Sequence, residues 1–264
     1  MNQIWVQVLI SFGVAAVFFV LGDFLQLISK RLRKRLLRRF WGKQVLGQDF
    51  VVCYGTIKDS RLMPPNLPPQ PGDKDYYRYG KRYRDGRDIR LVGPWEGIVG
   101  GSEVRDASYI VNELSGYRNM PIAVVDDDSA SQNLNRTLVA LGSSSSNEIT
   151  DLVLREPNNE FLEFGQEGAA TTFILDKKSG RRFEGFKEPI KKDYGMVVKL
   201  PNLRFPGHIF FVCAGLGEWG TSGASWYLAA KWRELQSRFG DAFGIVVEVE
   251  LGVDDSARRV FPER

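Results

Sequence analysis

Three glycine- or serine-rich breaks and a few carboxylates hold the chemistry that this chain can do. The sharpest is Gly215-x-Gly217-x-x-Gly220, with Thr221 and Gly223 behind it. It lies between the apolar run Ile209–Ala214 and a helical pattern ending near Phe239-Gly240. A glycine turn that delivers a helix N-terminus is an anion site, because free N–H groups and the helix dipole point at the ligand. Gly100-Gly101-Ser102 opens a second helix, with Ser102 as N-cap and Val104, Ile110, Val111 and Leu114 as apolar face. Gly142-Ser143-Ser144-Ser145-Ser146-Asn147 joins the run Thr137–Leu141 to a third helix. Its hydroxyls and amide suit phosphate or sugar oxygens.

Carboxylates cluster at the same kind of break. Asp126, Asp127 and Asp128 close the run that starts at Pro121, about 25 residues after the Gly100 loop, a spacing that suits recognition of a ribose hydroxyl by Asp126. The ligand set expected from sequence is therefore Gly100, Gly101, Ser102, Asp126, Gly142, Ser143, Ser144, Asn147, Gly215, Gly217, Gly220 and Thr221. The expected ligand is nucleotide-like and phosphate-bearing. A dehydrogenase is not expected, since a dinucleotide fold begins with its glycine loop and only one further strand follows here.

No complete catalytic set is visible. His208 is the sole histidine and opens a strand, and no P-loop, nucleophile elbow or His-Glu-x-x-His motif occurs. Asp126 and Glu148 are the candidates for a general base, with Asp127 and Glu218 also beside loops. No metal site is expected, and no cofactor can be named. Cleavage of a glycosidic bond in a nucleotide would need little beyond one such carboxylate, so enzymatic activity stays open.

These loops need a scaffold. Short apolar runs alternating with helical patterns predict a Rossmann-like three-layer α/β domain, its sheet mostly parallel, with a β-hairpin extension from Phe161–Phe164, Thr171–Leu175 and Met196–Leu200. Parallel strands would bring the Gly100, Gly142 and Gly215 loops to one sheet edge. A Pro-, Tyr- and Arg-rich insertion, 58–93, reads as irregular, and the tail Asp254–Arg264 shows no further element. Cys53 and Cys213 read as buried free thiols.

The N-terminus reads differently. Ile4–Ile28 is apolar enough for a transmembrane signal anchor (1–29), and eight Lys/Arg follow between Lys30 and Lys43. That order places the N-terminus outside and the body in the cytoplasm. Residues 30–43 read as a basic amphipathic helix at the membrane surface, with Ile28, Leu32, Leu36 and Phe40 as its stripe and Trp41 as interfacial anchor, facing anionic headgroups. Beyond residue 43 the chain has 28 basic against 31 acidic residues, a balance that argues against a nucleic-acid partner. The leading expectation is a cell-membrane-anchored sensor with a cytosolic ligand-binding domain (44–264), able to associate with itself or another membrane protein. An anchored nucleotide hydrolase or glycosidase and a non-enzymatic scaffold are the alternatives.

Overall fold

A computed structural model describes residues 3–55, 76–82, 88–94, 101–167, 171–185 and 191–262; for 3–17, 23, 30, 76–82, 88–94, 101 and 171 it describes backbone only. In chain order the elements are α1 (Gln3–Trp41), a 3-10 turn (Lys43–Leu46), β1 (Phe50–Tyr54), β2 (Tyr76–Arg82), β3 (Asp88–Pro94), α2 (Gly101–Ser115), β4 (Ala123–Asp126), α3 (Asp127–Ser131), β5 (Thr137–Leu141), α4 (Glu148–Leu154), β6 (Leu162–Glu167), β7 (Thr171–Asp176), β8 (Arg182–Glu184), β9 (Lys192–Pro201), β10 (Ile209–Gly215), α5 (Glu218–Phe239), β11 (Phe243–Glu250) and β12 (Val253–Phe261).

The fold is α/β, with a seven-stranded mixed sheet in the order β12-β11-β9-β10-β5-β1-β4 and a small antiparallel sheet, β6-β7-β8. The strands β4, β1, β5 and β10 are parallel; β9, β11 and β12 join antiparallel. The sheet is thus partly parallel, because Lys192–Pro201 inserts between β10 and β11 instead of forming the expected extension. The antiparallel addition is the separate sheet β6-β7-β8. Within the insertion, β2 and β3 pair as a two-stranded antiparallel ribbon; its remainder lies outside the described residues. The tail, in which no element was expected, is β12. Its sequence Val-Asp-Asp-Ser-Ala-Arg-Arg-Val-Phe hides the strand because it lies at the sheet edge, where only Asp254 and Ala257 are buried.

Alternation along the strands sends side chains to opposite faces. Phe50 and Val52 of β1 join Val139, Phe211 and Cys213 under α1, α2 and α5. Val51 and Cys53 join Leu138, Ala140 and Val212 against α4 and the small sheet. Both cysteines are free and buried. On α2 the inward stripe is Ala107, Ile110 and Leu114, whereas Val104 is exposed.

The last turn of α1 belongs to this core. Leu37, Phe40 and Trp41 are fully buried, and Trp41 lies 4.9 Å from the ring of Phe211 and 5.9 Å from Phe50. The expected interfacial role of Trp41 is therefore replaced by a core role. The inward stripe runs 37, 40, 41 rather than 28, 32, 36, 40, and Leu32 and Leu36 remain exposed. Among the described residues no helix is long and apolar enough to cross a membrane. Residues 3–17, most of the expected span, have no described side chains.

Candidate functional site

The ends of β5 and β10 are adjacent, joined by a bond from Gly142 N–H to the Cys213 carbonyl at 3.0 Å. At that edge lies a cleft of about 170 Å³ lined by Ser102, Glu103, Asp106, Gly142, Ser143, Ser146, Gly215, Leu216, Gly217, Glu218 and Thr221. Three loops far apart in sequence thus meet, as the direction of the parallel strands requires. Gly142 turns the chain with φ +102°, a conformation that favours glycine.

Of the expected ligand set, Ser102, Gly142, Ser143, Gly215, Gly217 and Thr221 line this cleft. Gly101 begins α2. Gly100 lies outside the described residues. Gly220 packs: a Cβ there would meet the carbonyl oxygen of Tyr194 at 2.2 Å. This glycine lets α5 press against β9. Ser144 is not among the lining residues. Asn147 is buried and caps α4, accepting from the N–H of Ile149 and Thr150 and donating to the Leu141 carbonyl at 2.8 Å. Asp126 caps α3 by accepting from Ser129 N–H at 2.6 Å. Glu148 is exposed at the start of α4, its N–H bonded to Asp127. Neither Asp126 nor Glu148 lines the cleft.

The anion positions at these helix starts are filled from within the chain. Asp126 serves α3, Asn147 and Asp127 serve α4, and Asp193 of β9 accepts from Gly220 N–H of α5 at 2.7 Å. Burial raises Asp193 above the usual carboxylate range, opposed by the N–H groups of Gly220, Tyr194 and Gly217. The helix dipole at α5 therefore already faces a carboxylate.

The cleft itself is acidic. Glu103, Asp106 and Glu218 line it, and none of its described lining residues is Lys, Arg or His. The negative character extends along the edge: Tyr54, at the end of β1, is raised by burial and then by Asp126, Cys53, Glu103 and Asp127. Asp106 is fully buried, and burial pushes its carboxyl up to about 8, so it is protonated at neutral pH. Ser222 and Arg105 oppose that rise, while Asp254 and Glu103 add to it. Yet neither Asp106 oxygen has a hydrogen-bond partner among the described residues.

Arg105 is held through its Nε and its flat face, while its Nη2 has no partner among the described residues. Its Nε donates to Ser222 Oγ at 2.9 Å and lies 3.1 Å from Asp254, and its guanidinium stacks 4.3 Å above Trp219. Among the described residues no cluster of three or more His, Cys, Asp or Glu side chains is arranged to hold a metal ion.

Sequence reasoning missed Glu103, Asp106 and Leu216, while Ser146 is one of the loop hydroxyls that it offered. A signal for two of them was present: Glu103 and Asp106 fall on the same helical stripe as Ala107, Ile110 and Leu114. Carboxylates on a core-facing stripe mark a place where the core gives way to something polar. Comparison with known proteins brings no family model, no curated protein and no solved structure that matches this chain.

Proposed function

We propose that this protein is a membrane-anchored, Rossmann-like receptor whose cleft takes the nucleoside part of a nucleotide-like ligand. One observation carries the reading: the starts of α2 and α5 and the β5–α4 loop converge on a single cleft at the ends of parallel strands, where α/β folds bind ligands. Its volume is below the 300–1,000 Å³ typical of whole drug-sized ligands, which suits one sugar or base rather than an entire nucleotide. The hydroxyls of Ser102, Ser143, Ser146 and Thr221 and the three carboxylates favour ligand hydroxyl and N–H donors over a buried phosphate.

α1 gives the reading its membrane side. Residues 4–28 serve as the single-pass anchor, with the N-terminus outside and the body in the cytoplasm. The basic residues between Lys30 and Lys43 face anionic headgroups, each contributing about 1 kcal/mol near the surface. Since α1 is continuous into the core, a change in the body reaches the anchor without a flexible joint. Association with a second copy or a membrane-protein partner is the expected output.

The test uses the full chain in detergent micelles or nanodiscs and a panel of nucleosides and nucleotides, read by thermal unfolding. A ligand at 100 times its Kd adds about 2.7 kcal/mol of stability. No stabilisation by any member would sink the receptor reading and leave the scaffold. Protease accessibility that places the body outside would overturn the orientation.

A second reading has its own support. A carboxyl group kept protonated near neutral pH beside further carboxylates is the arrangement that glycosidic bond cleavage needs. Asp106 would be the acid, with Glu103 or Glu218 as base or nucleophile. Turnover of a nucleoside or nucleotide that is lost in Asp106→Asn and Glu218→Gln, but kept in Asp126→Asn, would establish it.

A further inference from the structure

We propose that the floor of the cleft recognises a pair of adjacent N–H donors on one planar group, as carried by a guanine edge or a guanidinium, with Asp106 as their acceptor. This rests on the cleft being the ligand site and names what the ligand must present there.

The argument starts from supply and demand among hydrogen-bonding groups. Asp106 is wholly buried, and its two oxygens lack partners among the described residues. Buried polar groups are ordinarily satisfied, so a carboxyl with both acceptors open beneath a cleft is a group waiting for donors. Within the chain, the Ser222 hydroxyl and the Arg105 guanidinium favour the ionised form of Asp106, and Arg105 Nη2 is itself without a partner among the described residues; the other polar groups nearby are turned elsewhere. Arg105 gives its Nε to Ser222 and Asp254 and lays its face on Trp219. Tyr109 gives its hydroxyl proton to Asp254 at 2.7 Å. The first N–H groups of α5 turn to Asp193. The remaining carboxylates of the cleft, Glu103 and Glu218, add negative charge to it.

A phosphate is therefore the wrong occupant for this floor, and a donor-rich group is the right one. Two carboxylate oxygens form a fork that matches two parallel N–H bonds, the geometry of carboxylate–guanidinium pairing. A guanine edge offers the same spacing through its ring N–H and amino group. A lone hydroxyl or single amine would fill only half of the fork.

Accepting two N–H bonds requires the ionised carboxylate. Burial holds the proton on Asp106 until about pH 8. Binding below that pH must expel the proton to solvent, so affinity should rise about tenfold per pH unit and level off above it. The charged and titratable groups facing Asp106 are Glu103, Arg105 and Tyr109 from α2, Glu218 from α5 beside the Ser222 hydroxyl, Asp254 from β12 and Cys213 from β10. Cys213 is raised by burial, and burial also raises Tyr109, to about 12, so both keep their protons across this range.

The experiment is calorimetric titration of the full chain in detergent micelles with guanosine, inosine, methylguanidine and methylamine, between pH 6 and 8. Inosine lacks the amino donor of guanosine, and methylamine lacks the paired donors of methylguanidine. The expected result is at least tenfold tighter binding of guanosine over inosine, or of methylguanidine over methylamine. Release of up to one proton per ligand at pH 7, measured in two buffers of different ionisation heat, should accompany it. Loss of the preference in Asp106→Asn completes the expectation, and the proton release reads the same point in the unmutated chain. Preference for methylguanidine alone would keep this proposal and sink the nucleoside reading. Equal binding of guanosine and inosine without proton release would overturn this proposal and keep the nucleoside reading. If none of the four binds, the proposal is overturned.

Discussion

The two ends of the main sheet treat a buried ionisable group in opposite ways. At one end, the last turn of α1 packs Phe40 and Trp41 against Phe50, Phe211, Trp232 and Phe243, and Lys199 is wholly buried among them. Its ammonium donates to Gln236 Oε1 at 3.2 Å and the Gly240 carbonyl at 3.1 Å, and lies 4.5 Å over the Phe40 ring. At the other end, four residues along the paired strands from Lys199–Phe211 to Gly195–Gly215, Asp106 is equally buried and has neither oxygen bonded among the described residues. A buried charge with partners fixes a packing arrangement, and a buried carboxyl without them keeps its hydrogen-bonding capacity open. The aromatic end holds the last turn of α1; the acidic end carries the open cleft.

The largest test of that contrast is at the aromatic end. Trp41→Ala should cost about 3–5 kcal/mol, the usual range for removing a buried Trp. Leu36→Ala, one turn earlier and exposed, should stay within about 0.5 kcal/mol. Chemical unfolding of both variants checks this. Equal small effects would mean that the end of α1 is not part of the core and would break the comparison.

The two buried ionisable groups should leave opposite marks on the pH dependence of stability. Asp106 keeps its proton in the folded chain to about pH 8, whereas in the unfolded chain it loses it near the ordinary carboxylate value. Between these points the folded state binds the extra proton, so stability falls as pH rises, by about 1.4 kcal/mol per unit. Lys199 is lowered by burial from 10.5 to about 8, with Asp241 opposing and Arg39 adding to the shift. From about 8 to 10.5 the unfolded state binds the extra proton, so this group makes stability rise with pH. Urea unfolding at pH 5 and 7.5 should show the fall in the parent chain and its loss in Asp106→Asn. Lys199→Met should remove the rise above pH 8. A slope unchanged in Asp106→Asn would show that this carboxyl is not held protonated.

Much of this architecture is legible in sequence, and the parts that are not share a cause. The strand–loop–helix around Gly215 and the serine loop after Leu141 follow from apolar runs broken by glycine, because local chemistry decides them. Asp193 could not be read as the partner of α5, since it lies 27 residues from Gly220 and meets it only through the β9–β10 pairing. Asp106 is legible only as a carboxylate on the apolar stripe of α2, beside Ala107 and Ile110. Trp41 was misplaced because a Trp beside a basic cluster suits an interface and a core equally well; only the position of Phe211 and Phe50 decides. The loops of the cleft are local features, but the carboxylates that give it its character are tertiary ones.

A smaller effect probes the part that Asp193 plays at the start of α5. Asp193→Ala removes the acceptor of Gly220 N–H and leaves a buried donor unpaired, a loss of about 1–3 kcal/mol. The same change frees the start of α5, so the variant should bind inorganic phosphate more tightly than the parent chain does, measurable by calorimetry. Failure to do so would mean that the acidity of Glu103 and Glu218 alone disfavours anions.

The smallest effect comes from Asp126, the residue sequence most favoured for a ribose contact. Its side chain accepts from Ser129 N–H, and it is absent from the cleft lining. Asp126→Ala should therefore cost about 1 kcal/mol, the ordinary value of an N-cap, and leave ligand affinity within about twofold. The cost is reduced further because α3 is a single short turn at the sheet edge, beside β4. A tenfold loss of affinity with unchanged stability would reverse the assignment. It would mean that the ligand reaches past the β5 and β10 loops to the end of β4, and that the site spans the whole parallel edge.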